Sequence, residues 1–249
     1  MQSFKGRIAE IWLENGQMAG RMVCPPQGIP AAGQYLLAEA MAQASDGPAE
    51  ALPVTLFPSR LSGEGFHMAP PLPGGWLPGM EFHLRGPFGR GFLLPAQARH
   101  VALAALDASP ARLLPLAHQA LAAGREVTLF CNLAASHFTL SDLPSEIEMD
   151  DLAAFAAALS WADAAFLDLP ARFLPGLRGR LGIKAGERLP CPTQALVLAP
   201  MPCASLAECG VCAVPLRASR RSYGSHSSRL SWALACKDGP VFDLEILEW

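Results

Sequence analysis

Four of the seven cysteines in this 249-residue chain have the spacing of a ligand set. Cys203, Cys209 and Cys212 share the stretch MPCASLAECGVC (residues 201–212), and Cys236 follows in ALACKDGPVF. Thiols separated by five and then two residues, with a fourth 23 residues further on, meet at one point only where the loop wraps around something. A metal centre is the chemistry that this pattern suggests.

The spacing C-x5-C-x2-C with a remote fourth cysteine is one residue longer than the C-x4-C-x2-C of plant-type [2Fe–2S] sites. Gly210, among small or short side chains, would let backbone N–H groups turn inward toward sulfide. Structural zinc sites usually show two C-x2-C knuckles, and here only Cys209 and Cys212 form one. The expected centre is therefore a [2Fe–2S] cluster on Cys203, Cys209, Cys212 and Cys236. Zinc and unliganded or disulfide-linked cysteines are the alternatives. Cys24, Cys131 and Cys191 lack such company and read as packing residues.

Composition bounds the setting. Apolar residues make up 51% and charged residues 16% of the chain, which fits either a large dry core or a surface covered by a partner. A formal net charge of −3 argues against a nucleic-acid binder that works by phosphate neutralisation. MQSFKGRIAE has no apolar signal core, and the apolar stretch 152–169 is interrupted by Asp163 and Asp168, so no membrane span is expected. An odd number of cysteines, four in ligand spacing, suits a reducing compartment, and a cytoplasmic protein is the expectation.

The elements that must position these thiols fall into two patterns. Residues 3–85 read as short strands with turn punctuation: FKGRIAEIWLE and QMAGRMVC flank a Glu14-Asn15-Gly16 hairpin signal, and GQYLLAEA, LPVTLF, GFHMA and MEFHLR follow. That spacing, with Pro- and Gly-rich corners, predicts a small antiparallel β-barrel. From His100 the pattern changes to buried strands alternating with helices. HVALAAL, REVTLFCN, AAFLDL and QALVLAP read as strands; PARLLPLAHQALAAG, DDLAAFAAALSWA and RFLPGLRGRLG read as helices. Such alternation predicts an α/β domain with a mostly parallel sheet. The expected boundaries are residues 1–97 for the barrel, 98–200 for the α/β domain and 201–249 for the cluster-binding segment.

A barrel, then an α/β domain, then a C-terminal cysteine segment resembles the electron-transfer subunit of class 1B dihydroorotate dehydrogenase, within the ferredoxin-reductase-like superfamily. GQYLLA (33–38), Pro78-Gly79, LRGPFGRGF (84–92), WAD (161–163), ECGVCAV (208–214) and CKDGPVF (236–242) carry the resemblance, the last two most specifically. It implies FAD on the barrel, with Ser59, Gly86 and Gly89 as binding residues, and a pyridine nucleotide on the α/β domain. It also implies hetero-oligomeric work with a catalytic dehydrogenase subunit in pyrimidine biosynthesis, electrons passing between that subunit's flavin, the cluster, FAD and NAD.

The departures are specific. The family's Arg-x-Tyr/Phe-Ser type motif corresponds here to Leu56-Phe57-Pro58-Ser59, which lacks the cation that would pair with flavin phosphate. Residues 105–110, ALDASP, replace the Gly-rich phosphate turn, so Ser109 or Asp107 before Pro110 reads as a capped helix start and NAD binding is expected to be lost. No Ser/His/Asp set assembles from spacing, so no catalytic residue is expected. His67 and His83 could face one another in the barrel, and Glu146, Glu148, Asp150 and Asp151 read as an acidic run before a helix. Arg217, Arg220, Arg221 and Arg229 concentrate positive charge between cluster ligands and would steer an acidic partner surface. The reading is an accessory iron–sulfur electron-transfer subunit. A non-redox scaffold subunit with zinc or no metal, and a complete flavin-dependent NADH oxidoreductase, are the alternatives.

Overall fold

The computed structural model describes the chain except residues 1, 15, 42–51, 107–108, 133–142, 185, 204 and 218–230. Asn15 of the expected hairpin, Asp107 and Ala108 of the expected phosphate-turn replacement, and Arg220, Arg221 and Arg229 of the expected docking patch lie outside the described residues.

The first sheet has seven antiparallel strands: β1 (Gln2–Glu14), β2 (Gln17–Val23), β3 (Tyr35–Ala40), β4 (Val54–Leu56), β5 (Pro58–Ser62), β6 (Gly65–Met68) and β7 (Glu81–Phe88). Their order is β4-β3-β7-β1-β2-β6-β5, and the two outer strands, β4 and β5, follow one another in the chain with only Phe57 between them. The sheet curls into a half-barrel, the small antiparallel β form that strand spacing predicts. Glu14 pairs with Gln17, as the hairpin signal predicts. Alternation along the strands puts Ile8, Met22, Leu36, Phe66, Phe82 and Leu84 on one face, where they are fully buried with Trp76. Each such side chain contributes about 1.5–3 kcal/mol of burial. Gly65 lets β6 approach β2 closely, because a Cβ there would stand 1.9 Å from the Met22 carbonyl oxygen.

The second sheet contains β8 (His100–Ala105), β9 (Glu126–Cys131), β10 (Ile147–Asp151), β11 (Ala164–Pro170) and β12 (Thr193–Leu198), all parallel. Between β8 and β9 runs helix α1 (Leu114–Ala122), reached through a 3-10 turn. Ser109 Oγ accepts the Ala111 N–H at 3.3 Å with Pro110 next to it, and Gly124 follows the helix at φ +71°, so both predicted helix ends form. Two further helices, α2 (Phe155–Ala158) and α3 (Leu177–Arg180), are single turns. The acidic run becomes parallel edge strand β10, after which Asp151 caps the next turn by accepting the Ala153 N–H. With the late strand β15 (Val241–Asp243) at its far edge, the sheet order β10-β9-β8-β11-β12-β15 reverses direction between β8 and β11, the topological switch point of such folds.

The chain then makes a small hairpin, β13 (Ala213–Leu216) with β14 (Ser231–Leu234). It returns to the large sheet as β15 (Val241–Asp243), antiparallel to β12. The core of the second sheet is continuous with Tyr35, Phe57 and Phe92 from the first and with Cys212 and Cys236, so the cysteine segment is packed into the body of the fold. Among the described residues, no helix is long and apolar enough to cross a membrane.

Candidate functional site

The loop leading from β12 to β13 is shaped by backbone that only a held structure tolerates. Ser205 and Ala207 both sit at φ 62°, and Gly210 at φ 69°. A non-glycine residue in this region costs about 1–3 kcal/mol, so something must hold it. For Ser205 the holder is Tyr35, a fully buried β3 side chain whose hydroxyl lies 2.7 Å from Ser205 Oγ and donates to the Cys236 carbonyl at 3.2 Å.

The alternation of hand turns the following amides inward as an anion-binding concavity. N–H groups of Cys209, Glu208 and Ala207 are directed at the Cys203 sulfur, and with the Cys209 thiol they bring its pKa down to about 6. The Ala207 N–H also serves Cys236. Burial, and then the neighbouring Cys212, push the Cys236 thiol up to about 12. Cys212 and Cys236 are brought together by the hairpin, in which the Ala235 N–H donates to the Cys212 carbonyl, and their sulfurs are 3.3 Å apart. Tyr35 is itself pushed up to about 12, by burial first; the Ser205 hydrogen bond opposes this, and Cys236, Cys212 and Cys203 add to it.

The four expected ligand residues therefore gather at one end of the fold as two pairs, Cys203 with Cys209 and Cys212 with Cys236. Among the described residues, no group of three or more His, Cys, Asp or Glu side chains is arranged to hold a metal ion. The pairs differ in access: Cys212 and Cys236 are buried, Cys203 is half-buried and Cys209 is exposed. Leu206 and Val211, on either side of Cys209 in sequence, are 58% and 53% exposed. Cys24, Cys131 and Cys191 are buried away from this set, as packing residues are.

Next to the cysteine loop lies the seam between the two sheets. A cavity of about 200 Å³ is lined by Thr55, Phe57, Pro70, Arg112 and Met201, among others. Arg112 is buried; its Nε donates to Asp168 Oδ2 at 2.8 Å and its Nη1 to the Pro70 carbonyl at 3.3 Å, so one guanidinium ties the sheet to the half-barrel. Asp168, fully buried on β11 at the switch point, leaves Oδ1 without a hydrogen-bond partner among the described residues. Burial pushes its carboxyl above the usual range and Arg112 pulls it back. A larger cavity, about 410 Å³, opens at the carboxyl ends of β8, β9 and β10 beside Leu106, Asn132, Asp151 and Arg180.

The expected flavin residues are not brought together. Ser59 Oγ donates to the His67 carbonyl at 3.3 Å and lines a recess with Arg60, Trp12 and His118. Gly86 pairs with Gln2 inside β7. Gly89, at φ +81°, lies under the Gly239–Pro240 turn, where a Cβ would meet Pro240 Cδ at 2.4 Å. The adjacent Arg90 N–H donates to the Gly239 carbonyl at 2.7 Å, so this stretch hooks the half-barrel onto the segment that carries Cys236. His67 packs against Trp12, with centroids 5.2 Å apart, whereas His83 is exposed on a strand not adjacent to β6, so the two histidines do not face each other. Asp163 of the WAD motif accepts the Arg99 and His100 N–H groups at 2.8 and 2.9 Å, a structural role. Tyr35, Ser205 and Arg112 are the site residues that spacing alone does not reveal.

The half-barrel, the switched parallel sheet and their order in the chain can be compared with solved structures. Over 98% of this chain and 90% of the other, it superposes on a chain of an NADH-dependent reduced ferredoxin–NADP oxidoreductase studied for flavin-based electron bifurcation, with TM-score 0.71 and 15% identity. This is the ferredoxin-reductase-like fold. The same arrangement is found in the ferredoxin reductase of carbazole 1,9a-dioxygenase (TM-score 0.54, 13% identity, 73% of this chain and 65% of that one). It recurs in the flavohem-like FAD/NAD-binding domain of nitric oxide dioxygenase from Vibrio cholerae O1 biovar El Tor (TM-score 0.54, 16% identity, 79% and 99%). No protein-family model and no curated protein sequence matches the chain. At these identities the likeness is one of fold.

Proposed function

We propose that this protein is an iron–sulfur electron-transfer subunit, similar in role to the electron-transfer subunit of dihydroorotate dehydrogenase, with a [2Fe–2S] cluster held by Cys203, Cys209, Cys212 and Cys236. The observation that carries the reading is the division of the four thiols into two pairs beneath a shared set of inward amides. A single ion needs three or four donors about one point. A two-iron unit takes four cysteines in all, and amides aimed at sulfur offset its negative charge. The bound cluster would supply one-electron transfer without proton chemistry. The chain's own residues hold the thiols, exclude water from Cys212 and Cys236, and leave the Cys209 side open for exchange with a partner.

That open side supports work beside a partner redox protein: Leu206 and Val211 offer apolar area next to the only exposed thiol among the described cysteines. A solved structure of this fold is the ferredoxin reductase in carbazole 1,9a-dioxygenase, which is in keeping with such a partnership.

FAD belongs to the proposal as the occupant of the seam. Phe57 supplies an aromatic wall, and Arg112, paired with Asp168, lines the same cavity. The cavity of about 200 Å³ suits a fused ring; Pro70 and Pro71 in its wall have no N–H for a phosphate. The expected weakness of pyridine-nucleotide binding rests on residues 105–110, ALDASP, which lack the glycines of a phosphate turn.

Anaerobic purification with iron, sulfide and flavin analysis and EPR of the reduced protein tests the reading. About two irons and two sulfides per chain with a [2Fe–2S] signal are expected. One zinc per chain, or a stable protein that reconstitution leaves without iron, would overturn it.

A further inference from the structure

Tyr35 touches both halves of the proposed site. Its hydroxyl reaches Ser205 in the cysteine loop and the carbonyl of Cys236. Its ring lies between those of Phe57 and Phe88, with centroids 5.6 Å away on each side, and Phe57 lines the seam cavity. The residue is fully buried, so these contacts are not exchanged with water.

We propose that Tyr35 is the positioning residue that couples the cysteine loop to the seam, fixing the loop's strained turn through its hydroxyl and giving electrons a packed route through its ring to Phe57. This rests on the electron-transfer reading above. The hydroxyl matters in two ways. It holds Ser205 in the left-handed region, which aims the Ala207 N–H between Cys203 and Cys236. It also donates to the peptide carbonyl of Cys236, and hydrogen bonds around a cluster's ligands tune its potential. No bond is made or broken and the phenol is not oxidised: a single electron, supplied by dithionite, would reduce the cluster, and the ring contacts would connect it to a flavin in the seam as acceptor.

The test compares wild type, Tyr35→Phe and Ser205→Ala, each reconstituted anaerobically with iron and sulfide. Tyr35→Phe keeps the ring and all four thiols, so full iron and sulfide content is expected, with an EPR-monitored midpoint potential shifted negative because a donor near the ligand is gone. Ser205→Ala keeps the bond to Cys236 and should shift less. An unchanged potential in Tyr35→Phe would overturn the proposal. A second readout uses the metal-free protein, in which iodoacetamide alkylation of Cys236, followed by mass spectrometry, should be about tenfold faster in Tyr35→Phe than in wild type. Equal rates would overturn the loop-holding role even where a variant fails to keep its cluster. A wild type that takes up no cluster sinks the electron-transfer reading, while the alkylation comparison still decides whether Tyr35 holds the loop.

Discussion

Arg112 Nε lies 2.8 Å from Asp168 Oδ2, while Asp168 Oδ1, buried with it, has no hydrogen-bond partner among the described residues. The pair stands at the topological switch point, and the second contact of Arg112, to the Pro70 carbonyl, crosses to the half-barrel. One guanidinium therefore joins the two halves of the fold at the place where related folds bind their ligands.

Arg112→Met should cost about 3–5 kcal/mol, because it leaves a buried carboxyl without its counter-charge. The same variant should release flavin if the seam holds it. Its stability should also depend on pH in an unusual direction for an aspartate. Burial already raises the Asp168 pKa in the fold, and without Arg112 nothing pulls it back. A group with a raised folded pKa contributes stability below its unfolded value, near 3.9, and loses it as pH rises through the folded value. The deficit relative to wild type should shrink as pH falls from 7 toward 5, measured by urea unfolding. A deficit that grows over that range would contradict this account.

NADH should bind more weakly than about 1 mM, equivalent to about −4 kcal/mol. Residues 105–110, ALDASP, lack the glycines that would let backbone amides approach pyrophosphate. Micromolar binding by calorimetry would revive the NADH oxidoreductase alternative.

Gly89→Ala should destabilise the protein by about 1–3 kcal/mol from its positive φ alone. Its methyl group would also displace the Gly239–Pro240 turn. Because that turn leads from Cys236, the variant should lose iron on gel filtration faster than wild type does. Wild-type melting and iron retention together would show that the hook is dispensable.

Cys→Ser at any one of Cys203, Cys209, Cys212 or Cys236 should bleach or destabilise the centre, since each fills one of four cysteine positions. Full iron and sulfide in Cys236→Ser would remove that residue from the ligand set.

The periodic elements were legible because their signals are local: the β1–β2 hairpin, the apolar runs of β8, β9, β11 and β12, and the Ser109-Pro110 start all form where the sequence places them. Strand β5 escaped notice because Pro58, Ser59, Arg60 and Ser62 carry no apolar alternation on an edge strand, and β10 because its carboxylates resemble the lead-in to a helix. At the site, cysteine spacing pointed to the four thiols but not to their division into pairs, which depends on the hairpin register. Arg112 looked like one charge in an apolar helix start; its partners lie on β11 and across the seam, and no local pattern encodes them.

The bonds from Tyr35 to Ser205 and Cys236 span sequence separations of 170 and 201. Contacts so distant along the chain form late in folding. During synthesis, three of the four thiols leave the ribosome before Cys236 can complete the set, and the strained turn of their loop has no anchor until β3 is docked. Iron delivered to the nascent chain would meet loose thiols open to mispairing and oxidation. For the proposed cluster, the order of assembly that these contacts favour is scaffold first and metal second.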